Sequence, residues 1–147
     1  MLEIAEDVFQ ISVFPRKAVN AYLIGSIIVD AGVRSSAADL KKALGTRSLS
    51  THILTHAHAD HQGSSAFLCD TFRLPLWCGA PDAAAAQTGQ VTGEYRNPRH
   101  PIAQLQQQNR QSIRKIAALK PRVTGFGHGP VLRDTDELLA LAARLGP

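Results

Sequence analysis

The segment Thr55-His-Ala-His-Ala-Asp-His-Gln-Gly63 places three of the chain's six histidines and an aspartate at positions 56, 58, 60 and 61. Imidazole nitrogen and carboxylate oxygen together suit zinc and related divalent ions. Just beyond a strand, side chains two apart can point to one side, so His56 and His58 can converge on one ion. Asp60 and His61 fall where the chain turns toward a helix, and can address that ion or a neighbour. Ala57 and Ala59 leave the loop free to wrap closely, and Gly63 lets the backbone leave the turn without strain. A second presentation point is His128 in "FGHGP", held between two glycines at the end of an expected strand. His52 faces sideways from its strand and reads as structural, and His100, between Arg99 and Pro101, reads as exposed.

Alternating elements must position these groups. Val8–Val13 reads as a strand, and Ala18–Ile24 with Ser26–Val29 as a hairpin turning at Gly25. Ser35 or Ser36 is placed to cap a helix running to about Leu44 on Ala37, Leu40, Ala43 and Leu44. Thr51–Thr55 is a short apolar strand that feeds directly into the histidine cluster. A helical pattern covers Gly63–Phe72, and Pro75–Cys78 reads as a short buried strand. Residues 80–101 read mainly as loop, with a turn of helix at Asp82–Ala86. A helix over Ile102–Leu119 carries Ile102, Leu105, Ile113 and Ile116 on one face. Val123–Phe126 is a last strand, and Asp134-Thr-Asp-Glu137 forms a capping box for a terminal helix striped by Leu138, Leu141, Ala142 and Leu145. Strands and helices alternate throughout, so the class is α/β.

At 147 residues, with no linker or repeat, the chain is expected to be a single domain. The start, "MLEIAEDVFQISV", is acidic where a leader peptide is basic, and no run approaches the roughly 20 apolar residues of a membrane helix. Cys69 and Cys78 make no disulfide framework and read as buried thiols, which points to a cytoplasmic protein. The net charge of +4 gathers in Arg96, Arg99, Arg110, Arg114, Lys115, Lys120 and Arg122. No aromatic residues interleave with them, so they read as a solvated helix face and no nucleic-acid partner is expected.

"THAHADHQG" resembles the HxHxDH signature of the metallo-β-lactamase fold superfamily, and "GFGHGPVL" resembles the GHGP segment of its hydrolases. The order is similar too, with "IIVDAG" ending the hairpin ahead of HxHxDH, and helix, strand, GHGP and helix at the end. The resemblance implies a layered αββα sandwich in which His56 and His58 serve one metal and Asp60, His61 and His128 a second. The family's third histidine, from a "GHxxG" turn, and its bridging aspartate, from a "GD" turn, have no counterpart between Gly79 and Phe126. The fold is therefore expected to be truncated in the second sheet, with the chain internally shortened around 96–108.

Three ligands with one open position make a catalytic zinc site. The expectation is a zinc-dependent hydrolase using metal-activated water on an ester, thioester or amide-type small-molecule substrate. Asp60 either ligates or accepts the proton of that water. One zinc ion is expected rather than two, with another divalent metal as the alternative, and the five residues can pool around it. The competing expectation is a catalytically inactive remnant that serves as a metal-binding or self-associating module. A homodimer would then cover the apolar surface left by the missing strands.

Overall fold

A computed structural model describes residues 1–14, 18–88 and 102–145. They fall into two compact units, residues 1–88 with 126–130 and residues 102–125 with 131–145, within the span read as one domain. The first unit is built on a six-stranded sheet in chain order: β1 (Leu2–Ala5), β2 (Val8–Ser12), β3 (Asn20–Ile24), β4 (Ile27–Val29), β5 (Thr51–Ile53) and β6 (Leu76–Trp77). The first four strands run antiparallel, whereas β4–β5 and β5–β6 are parallel. Parallel neighbours need a crossover, and helix α1 (Ala37–Leu44) supplies the first. Short α2 (Ala59–Gln62) and α3 (Ser65–Phe72) supply the second, and α4 (Ala83–Thr88) follows β6.

The register explains the core. Phe9, Leu23, Ile28, His52 and Leu76 lie in one row across β2 to β6, and share a face with Ile11 and Ala21. On that face Leu40 and Leu44 of α1 and Leu68 of α3 are fully buried against Leu23 and Ile28. Burying a leucine stabilises by about 1.5–3 kcal/mol, so these three fix the helices over the sheet. His52 is the polar member of the row, with Nδ1 3.1 Å from the Ile28 carbonyl and Nε2 2.8 Å from the Ser65 hydroxyl. Its structural role matches the sequence reading.

The second unit pairs α5 (Ile102–Ala118) with α6 (Thr135–Arg144) over a small core of Ala117, Leu138 and Ala142. Asp134 caps α6 by accepting from the amides of Asp136 and Glu137, as its spacing indicates.

Several expectations need correction. The strand β1 was not foreseen, and Pro75–Cys78 is not buried: Leu76 is 36% and Trp77 63% exposed, because β6 is an edge with only β5 beside it. Both cysteines are half-buried. Val123–Phe126 is reduced to one bridge between Thr124 and Leu132, since the glycines and Pro130 that follow do not extend a ladder. On α5, among the described positions, Ala117 is buried with Ile113 packed beside it, while Ile116 is 43% exposed; the side chains of Ile102 and Leu105 lie outside the described residues. The Ser36 hydroxyl does not cap α1; it is spent on the Val13 carbonyl at 2.6 Å. Residues 89–101, with His100 and part of the expected shortening, lie outside the described residues.

Candidate metal centre

All five sequence-predicted residues belong to the first unit. His56 and His58 lie between β5 and α2, Asp60 and His61 lie on α2, and His128 is brought in by a loop docked on β3. Asn20 anchors that loop: its Nδ2 donates to the carbonyls of Phe126 (3.1 Å) and Gly129 (2.7 Å), and its amide to Gly127 (2.8 Å). The Tyr22 hydroxyl adds a bond to the Phe126 carbonyl at 2.7 Å. A Cβ on Gly127 would stand 2.6 Å from Cε1 of His61, so only glycine lets the loop come this close.

The outer hydrogen bonds fix which ring nitrogen carries each proton. His61 Nδ1 lies 2.8 Å from Asp30 Oδ2, and a carboxylate only accepts, so Nδ1 holds the hydrogen. His128 Nδ1 lies 2.6 Å from the Ala18 carbonyl and must likewise donate. The Thr55 hydroxyl gives its one proton to Asp30, and therefore accepts from His56 Nδ1 at 3.0 Å. In the neutral rings His56, His61 and His128 thus all present a bare Nε2. The carboxylate behind His61 and the carbonyl behind His128 are the partners that orient metal-binding histidines, while His56 has a hydroxyl in that place.

These lone pairs meet. His61 Nε2 and His128 Nε2 are 3.3 Å apart, and Asp60 Oδ2 is 3.3 Å from the latter and 3.7 Å from the former. Two bare nitrogens and a carboxylate facing one point repel unless a cation or a proton lies among them. Zinc–nitrogen bonds of 2.0–2.1 Å set adjacent tetrahedral ligands roughly 3.3 Å apart, close to these separations. The donor set and spacing fit a zinc-like cation.

Burial works against charging His61, but the hydrogen bond and charge of Asp30, with Asp60 adding to them, raise its pKa above the ordinary imidazole value. His56 is held low by burial and by its neighbours His61 and His58. The structure thus brings Asp60, His61 and His128 into one group and leaves His56 and His58 as an adjoining pair, their Nε2 and Nδ1 2.9 Å apart. The pair touches the group through the rings of His56 and His61, whose centroids are 4.1 Å apart.

Sequence reasoning missed Asp30, Thr55 and Gly127 as site residues. The signal for Asp30 was a carboxylate closing an apolar strand in "IIVDAG", where its φ of 59° is one that aspartate tolerates better than most residues.

Residues 15–138 match the model of the metallo-beta-lactamase superfamily. The chain belongs to the metallo-beta-lactamase superfamily. It is similar in structure to the HARLDQ-motif mutant of a metallo-beta-lactamase from Cronobacter sakazakii, at 24% identity and a TM-score of 0.51, over 57% of this chain and 36% of that one. Rm3 metallo-beta-lactamase is similar at 22% identity and a TM-score of 0.51, over 59% of this chain and 35% of its own. Among curated proteins none matches. The chain thus spans about a third of the length of these structures. At such identities the likeness carries the fold, a metallo-beta-lactamase fold matched in part, with one mixed sheet among the described residues.

Proposed function

We propose that this chain is a zinc-dependent hydrolase with a reduced, mononuclear site formed by Asp60, His61 and His128, acting on an ester, thioester or amide-type substrate. The observation that supports the reading most is the convergence of two bare imidazole nitrogens and one carboxylate oxygen, each imidazole locked from behind. Zinc bound there would lower the pKa of water toward neutrality and polarise a carbonyl. The chain's own contribution is division of labour by burial. His61 is buried and held by Asp30, so it serves as the fixed ligand. His128 is 59% exposed in its side chain and lies at the solvent side, where substrate would arrive. Asp60, with its side chain 35% exposed, can ligate through one oxygen and accept a proton from water at the other.

A second reading, a metal-binding module without catalysis, draws on the His56–His58 pair. Among the described residues no third ligand joins that pair in a metal-binding group. Turnover of a generic aryl ester and a thioester by the zinc-loaded protein separates the two. Hydrolysis that disappears in His128→Ala supports the hydrolase. A zinc-loaded protein that turns over neither substrate above the level of His128→Ala supports the binding module.

A further inference from the structure

We propose that Asp82 is a positioning residue that sets the angle between His56 and His58, acting with Gln62 on the single residue between them. The inference rests on the reading of this loop as a metal centre. Ala57 is fully buried, and its two backbone polar groups are taken by side chains. Its N–H donates to Asp82 Oδ1 at 3.1 Å, and its carbonyl accepts from Gln62 Nε2 at 2.9 Å. The N–H lies in the peptide plane shared with His56, and the carbonyl in the plane shared with His58. Pinning both planes therefore fixes the two dihedral angles of Ala57, which are the hinge between the rings.

The two pins come from different places. Gln62 closes α2, five residues along, and holds the loop to its own helix. Asp82 reaches from the far side of β6, 25 residues away, at the end of the short 3₁₀ turn Ala80–Asp82 that leads into α4. His56 is also held from behind through Thr55, so its ring has a fixed direction. His58 contacts it at Nδ1, and the placement of that nitrogen depends on the Ala57 hinge. A carboxylate that only secured the turn would have served equally well on any amide of the loop. This one takes the amide between the two histidines.

The test uses the full chain with Asp82→Ala and Asp82→Asn. Asparagine keeps an acceptor oxygen where alanine removes it. Cobalt(II) serves as the probe, read by its d–d absorption and by competition with a chelator. Alanine is expected to weaken cobalt(II) binding severalfold and alter the absorption envelope, because the His56 ring it frees stands against His61, with centroids 4.1 Å apart. Asparagine is expected to restore both. Equal losses in both variants, or wild-type affinity and spectrum in the alanine variant, would overturn the proposal.

If the wild-type chain takes up no metal, the metal reading fails and ring nitrogen-15 shifts of the metal-free protein decide the positioning claim. Asp82→Ala should then release the His56–His58 contact, and Asp82→Asn should keep it. Unchanged ring shifts in the alanine variant would refute the claim on its own terms.

Discussion

Asp30 Oδ2 accepts from His61 Nδ1 at 2.8 Å and from the Thr55 hydroxyl at 2.8 Å, while Oδ1 takes the Thr55 amide at 2.8 Å. An amide cannot satisfy three donors with one oxygen. Asp30→Asn would set an NH₂ against the His61 ring, driving the ring proton to Nε2 and blocking the ligand. Zinc affinity is expected to fall about 10–100-fold in a competition titration, and unchanged affinity would sink the tautomer argument. His52 offers a pH test away from the cluster. Its pKa is lowered by burial, against the smaller opposing effects of the Ile28 carbonyl and Asp30. The unfolded chain, with the ordinary value of 6.5, therefore binds more protons than the folded one just below that pH. The stability His52 contributes is intact above pH 6.5 and is lost as pH falls through the lowered folded value. Urea midpoints of the metal-free protein should drop on acidification below 6.5, and drop less in His52→Asn. Parallel curves would show that His52 does not contribute to acid sensitivity. At this scale the ligand types were legible, because histidine density after an apolar strand is a local property. Asp30 and Thr55 were not, since only the folded register of β4 beside β5 brings position 30 to position 55.

Two loops decide the site at the scale of elements: the one leaving β5, and the 126–130 segment held on β3 by Asn20. The second must approach His61 within the space of a hydrogen at Gly127, as the 2.6 Å Cβ distance shows. Gly127→Ala should displace His128 from the group and reduce zinc affinity below the wild-type value. Its far-ultraviolet circular dichroism should match wild type, since the loop lies outside every strand and helix. Wild-type zinc affinity in that variant would mean that the loop does not need this approach. The sequence showed "FGHGP" as a presenting loop, but neither its anchor nor its closeness could be read from spacing. Periodicity placed α1, α3, α5 and α6 because each carries an apolar stripe. It found β6 but not its exposure, and it failed for Val123–Phe126, because short apolar runs do not reveal whether a neighbouring strand exists.

At the scale of the whole molecule, the chain carries one six-stranded sheet among its described residues, and about a third of the length of the solved structures it resembles. No helix among the described residues is long and apolar enough to cross a membrane. His61 and His128 meet because their supports, Asp30 at the end of β4 and Asn20 on β3, lie in this sheet. The α/β class and the family were legible in the motif order, while the division into two compact units was not. That division depends on Ala117, Leu138 and Ala142 forming a core of their own. This sheet alone is expected to support a three-ligand metal centre. Elemental analysis of untagged protein, purified without added metal and compared with His128→Ala, tests it most directly. About one zinc per chain is expected, lost in the variant. Wild-type protein that holds no metal even after incubation with zinc, or a variant that retains the wild-type content, would contradict it.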